Sequence, residues 1–108
     1  MASKAVTITV YDNGDFGYDR ALLGVSGGDV ITWQAGPNTG DFTIKFLTPD
    51  SPLSTGEFTL GGSAAAPIAR TVQNGLQVDA VYHYSVQAKH LPDGTPWNDP
   101  NCPELIIR

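Results

Sequence analysis

The stretch Ala5–Tyr11 reads AVTITVY, and its bulky apolar side chains fall on every second position. Val6, Ile8 and Val10 alternate with Thr7 and Thr9, the two-residue period of a strand with one face buried. The pattern returns in Phe42–Leu47, where Phe42, Ile44 and Phe46 oppose Thr43 and Lys45. It returns again in Val78–Ala88, where Tyr82, Tyr84 and Val86 oppose His83, Ser85 and Gln87. Val30–Gln34 is a fourth clear strand, with Ile31 and Trp33 on one face. Phe16–Val25, Glu57–Leu60, Ile68–Val72 and Glu104–Arg108 are shorter or less regular candidates. Between them stand turn signals: Asn13-Gly14, Ser26-Gly27-Gly28-Asp29, the loop Ala35–Asp41, Pro49–Thr55, Gly61-Gly62 and Asn74-Gly75. No segment holds a helical period across a helix-length window; a single helical turn is expected at Ser63–Ala66.

Seven or eight strands at this spacing predict an all-β chain, a sandwich or small barrel, as one domain over residues 1–108. The 12 glycines and 8 prolines among 108 residues fit that turn density. Eleven acidic residues against six basic ones give a net charge of -5. The bases (Lys4, Arg20, Lys45, Arg70, Lys89, Arg108) are scattered singly, which excludes the clustered cations that track phosphates or an anionic membrane surface. Neither a nucleic-acid nor a membrane partner is expected. No apolar run is long enough to span a bilayer. Met1-Ala2-Ser3-Lys4 lacks an apolar leader, so a cytoplasmic protein is expected, with a removed export signal as the alternative. The one cysteine, Cys102, allows no internal disulfide.

Gly28-Asp29-Val30-Ile31-Thr32-Trp33, then a loop, then Phe42-Thr43-Ile44-Lys45-Phe46, and later Tyr82-His83-Tyr84-Ser85-Val86 with a long loop and a last apolar strand, form an ordered pattern. This order resembles the cupredoxin family, the Greek-key β-sandwiches of blue copper proteins, over residues 5–108. The resemblance implies a seven- to eight-stranded Greek-key sandwich. It also implies where copper ligands would stand: a His just before the strand begun by Phe42, a Cys at the end of the Tyr-x-Tyr strand, a second His a few residues on, and a Met or Gln after it. Asp41 and Phe42 occupy the first position and Val86 the second. His90 is in place for the third, and the loop offers no axial donor. A blue-copper centre needs two His, a thiolate and a weak axial donor, so the expectation is a cupredoxin-like domain with no cofactor.

The remaining candidates are few. His83 falls on the polar side of its strand, and His90 where the strand leaves for the loop; with Cys102 they are the one possible copper or zinc set. Cys102 has no neighbouring base or cation that would make it a nucleophile. Asp12-Asn13-Gly14-Asp15 with Asp19 groups oxygen donors, but the spacing of a calcium loop is missing and a solvated hairpin turn is expected. There is no nucleophile elbow, phosphate loop or dinucleotide fingerprint, and Glu57 and Glu104 form no acid–base pair, so no enzyme is expected. The loop Leu91–Asn101 is stiffened by Pro92, Pro96 and Pro100 and presents Trp97, an anchor type. In a sandwich of the resembled type, Asn38, Asp41, His90 and Trp97 share one end, and that end is the expected binding site. The function expected is a non-catalytic binding or assembly module whose partner is another protein or its own copy. The rivals are a degenerate copper/zinc protein using His90, His83 or Cys102, and a carbohydrate-binding module.

Overall fold

The computed structural model describes residues 2–99, 101 and 103–108. It contains ten strands and, among the described residues, no helix. In chain order they are β1 (Ser3–Val10), β2 (Phe16–Tyr18), β3 (Leu22–Val25), β4 (Val30–Ala35), β5 (Thr39–Phe46), β6 (Thr59–Gly62), β7 (Ile68–Thr71), β8 (Val81–His90), β9 (Thr95–Asn98) and β10 (Glu104–Ile107). One sheet has the order β2-β1-β4-β7; the other runs β3-β10-β8-β5-β6, with β9 added beside the far half of β8.

Alternation decides which face of each strand turns inward. Val6, Ile8 and Val10 from β1 and Ile31 and Trp33 from β4 meet Phe42, Ile44 and Phe46 from β5 and Tyr84, Val86 and Ala88 from β8 in one core. Burying each large apolar side chain stabilises the fold by about 1.5–3 kcal/mol. At the centre Trp33, Phe46 and Tyr84 meet edge to face, with ring centroids 5.6 to 6.3 Å apart. Burial pushes the Tyr84 phenol up to about 12, partly offset by the nearby Trp33 indole N–H. The two groups do not meet at hydrogen-bond geometry: the Tyr84 hydroxyl and Trp33 Nε1 are the buried side-chain atoms without a partner among the described residues.

Several elements differ from their expected bounds. Phe16–Val25 is two strands in opposite sheets, because the corner Asp19-Arg20-Ala21 carries the chain across. Gly61-Gly62 continues β6; at Gly62 a side chain would strike the Phe42 ring, its Cβ 2.4 Å from Cζ, so glycine lets the strand pass beneath that ring. Ser63 and Ala66 exchange backbone hydrogen bonds of 3.0 and 3.2 Å in a turn, and no helix forms. Strand β8 starts at Val81 because Asp79 takes a left-handed backbone (φ 71°). The 91–103 loop contains β9, paired with β8 through Ala88↔Trp97 and His90↔Thr95.

Pairing direction gathers the loops. β1 and β4 are parallel, so both finish at the same end. The loop at 36–38 turns there and β5 starts back from it, antiparallel to β8. The β1–β2 turn at 11–15, the 36–38 loop and the β8–β9 turn at 91–94 therefore meet at one end of the sandwich.

Candidate functional site

His90 continues the inward parity of Tyr84, Val86 and Ala88, so its imidazole enters the sandwich end and is only 5% exposed. Two carboxylates from separate elements meet it. Nδ1 lies 3.1 Å from Asp93 Oδ1 in the β8–β9 turn, and Nε2 lies 2.9 Å from Asp12 Oδ1 in the β1–β2 turn. Burial pulls the imidazole down, but the two hydrogen bonds and the two charges outweigh it, and the group is held above its ordinary value of 6.5. With acceptors on both sides, the ring is best satisfied as an imidazolium donating from both nitrogens. Asp93 is lowered in turn, first by accepting the Thr95 backbone N–H.

The neighbouring turns are tied by backbone bonds. The Leu91 N–H donates to the Asn38 carbonyl at 2.8 Å, and Gly94 to His90 at 2.7 Å. Thr39, fully buried, accepts from the Val10 N–H through Oγ1 at 2.9 Å. In the β1–β2 turn the Asn13 side chain bridges Asp15. The oxygen donors seen in the sequence thus serve an Asx-type turn and His90. Among the described residues no three His, Cys, Asp or Glu side chains are grouped so as to hold a metal ion.

The four expected site residues face different ways about this end. Asn38 is exposed in a left-handed conformation (φ 58°) at the tip of its loop. Asp41 points from the outer face of β5, where it lines a small hollow of about 170 Å³ with Lys89 and Pro96. Trp97 lies against the backbone of Gly14, where an added Cβ would stand 3.1 Å from its ring, and it stays 37% exposed. His90 is interior. His83 is exposed on the outer face of β8, 3.8 Å from Glu104 Oε1 on β10. Cys102 lies outside the described residues. Sequence reasoning missed Asp12 and Asp93 as partners of His90. Asp93, three residues on, was within reach of a local argument; Asp12, 78 positions away, was not.

These positions decide the fit to copper. Where the resembled family has its first His, Asp41 faces outward; where it has a thiolate, Val86 is sealed in the core. Both nitrogens of His90 are already engaged. Among the described residues the donor set does not fit a blue-copper centre.

No family model matches the chain, and no curated protein sequence matches it. Solved structures do. A Sinorhizobium pseudoazurin superposes with a TM-score of 0.57 at 17% identity, covering 100% of this chain and 75% of its own. A reduced, Cu(I) amicyanin variant gives 0.55 at 16% identity, covering 96% of this chain and 82% of its own. A second amicyanin variant, also Cu(I), gives 0.53 at 16% identity with the same coverage. The chain is thus an all-β sandwich with a cupredoxin-like fold. At this identity the likeness carries the fold and leaves function to the site.

Proposed function

We propose that the protein is a non-catalytic, copper-free binding module on a cupredoxin-like sandwich. One observation carries this reading: the histidine in the position of a copper ligand is spent on Asp12 and Asp93, as a clamp between two turns. A metal would have to displace both carboxylates and then find a thiolate where Val86 stands.

A protein partner or a second copy was the occupant expected from exposed strand edges. The edge strands β2, β3, β6, β7 and β9 are each only three or four residues long. Short edges are poor templates for strand addition. The Lys4 ammonium also donates to the Gly24 carbonyl on β3 at 2.5 Å. These features favour the faces and hollows of the sandwich over its edges as the binding surface.

The test is metal content by mass spectrometry before and after loading with copper and zinc, read beside visible absorption. The expected result is no stoichiometric uptake by the wild type and none by Asp12→Asn. Stoichiometric copper with intense visible absorption, lost in His90→Gln, overturns the reading.

A further inference from the structure

The outer face of the β1–β4 sheet has an unusual floor. Thr9 is flanked by two glycines, Gly17 opposite it on β2 and Gly36 just past β4. A Cβ on Gly36 would fall 2.2 Å from Thr9 Oγ1, and one on Gly17 would fall 2.7 Å from the Tyr11 hydroxyl and 2.8 Å from its Cε2. The absence of a side chain at Gly17 lets the Tyr11 phenol lie down over it while the residue remains 53% exposed, and the bare Gly36 leaves room for Thr9. Two hollows open on either side of it. One, of about 310 Å³, is lined by Thr9, Tyr11, Asp12, Pro37 and Asn38. The other, of about 280 Å³, is lined by Thr7, Thr9, Tyr11, Gly17 and Asp19. They share Thr9 and Tyr11, so they meet as one groove with an aromatic ring at its middle.

The lining chooses the ligand class. Neither hollow includes a Lys or Arg among its described lining residues. With Asp12 and Asp19 present and a chain charge of -5, an anion is repelled. A cation finds little surplus charge, because Asp12 is paired with His90 and Asp19 Oδ1 accepts the Thr7 N–H at 2.8 Å. An apolar ligand would strip water from hydroxyls, an amide and carboxylates without replacing their hydrogen bonds. What suits an exposed ring bordered by such groups is a molecule with one apolar face of C–H bonds and a rim of hydroxyls. A pyranose ring has that shape: its C–H face covers the aromatic surface and its hydroxyls bond the polar rim.

We infer that this groove, centred on Tyr11, binds a neutral oligosaccharide, one ring against Tyr11 and further rings in the two hollows. The inference rests on the binding-module reading above and names its ligand class. Thr9 and Asn38 supply neutral donors and acceptors, and Asp19 Oδ2, the oxygen not bonded to the Thr7 N–H, accepts sugar hydroxyls. Two hollows about one ring require a ligand longer than a monosaccharide.

The experiment is an amide-resolved NMR titration of the full chain with cellohexaose, xylohexaose, mannohexaose and laminarihexaose, with glucose as the short control. At least one hexasaccharide is expected to move the amides of Thr9, Tyr11 and Gly17, with glucose far weaker. Tyr11→Ala, at an exposed position, is expected to weaken that binding about tenfold or more, and Asp19→Asn to weaken it less. Leu47→Ala, exposed just past the opposite end of β5, is expected to leave it unchanged. Silence toward all four hexasaccharides overturns the inference. So does binding that survives Tyr11→Ala or is lost in Leu47→Ala. Copper uptake would sink the binding-module reading itself, whereas a copper-free protein silent to these sugars loses only the ligand class.

Discussion

Two glycines with nearly the same backbone allow the Trp97 contact to be weighed. Gly14 has φ 85° and Gly75 has φ 84°. A Cβ on Gly75 meets nothing within 4 Å, whereas one on Gly14 meets three atoms of the Trp97 ring at 3.1 to 3.2 Å. Placing alanine in the left-handed region costs about 1–2 kcal/mol. The stiffer unfolded chain returns about 0.4–1 kcal/mol. Gly75→Ala should therefore lose on the order of 1 kcal/mol, a fall of about 4–8 °C in Tm. Gly14→Ala carries the same backbone term and must also push the ring away. Overpacking costs about 1–3 kcal/mol in a closed core. Trp97 sits on an edge strand and can yield, so the lower value applies and Gly14→Ala should lose about 2 kcal/mol in all. Urea unfolding gives both numbers, and acrylamide quenching follows the indole, since Trp33 is fully enclosed and Trp97 is 37% exposed. Quenching should rise in Gly14→Ala and stay level in Gly75→Ala. Equal losses with unchanged quenching would refute the claim that Trp97 is seated on the β1–β2 turn.

Other outcomes follow from the core and the clamp. Tyr84→Phe removes a buried hydroxyl without a partner and keeps the ring contacts with Trp33 and Phe46, so urea unfolding should show a gain of about 1 kcal/mol; a loss of that size would mean the hydroxyl is hydrogen-bonded. His90 is held above 6.5 in the folded state, so its contribution is complete below about pH 6.5 and is lost as pH rises through the raised value. The urea midpoint should fall as pH rises through that window in the wild type and be flatter in His90→Gln; parallel profiles would remove the clamp as a source of stability. Gly62→Ala drives a methyl group into the Phe42 ring and should cost about 1–3 kcal/mol by thermal unfolding, with a neutral effect excluding that close approach.

The parts of the fold legible in the sequence are those where burial imposes a period. Val6-Ile8-Val10, Ile31-Trp33, Phe42-Ile44-Phe46 and Tyr84-Val86 each announce a half-buried strand, and each is one. The corner between β2 and β3 has no period to read, because a chain changing sheets over Asp19-Arg20-Ala21 belongs to neither face. β9 was hidden by Pro96, which reads as loop but is tolerated in a four-residue edge strand that has no outer neighbour to bond. The last two residues of β8, Lys89 and His90, were missed because a histidine is a weak marker of an inward face. That the loops about His90 share one end of the sandwich was legible through the resemblance. Its chemistry was not, since a histidine's role depends on partners that tertiary pairing brings from 78 residues away. The groove about Tyr11 escaped notice for a related reason. Its signature is two missing side chains, at Gly17 and Gly36, on segments that read only as an irregular strand and a loop.

The place of β10 has a consequence for how the protein is made. Glu104–Ile107 is an interior strand, parallel to β3 through Leu105↔Leu23 and Ile107↔Val25, and antiparallel to β8 through Ile106↔Val81. Until a ribosome has released these residues from its exit tunnel, β3 has no neighbour in its own sheet and the core lacks Leu105 and Ile107. Strands β1 to β9 then stand with a gap in one sheet, open to chaperones and to mispairing. During synthesis this sheet is accordingly expected to close in one step, after β10 has emerged.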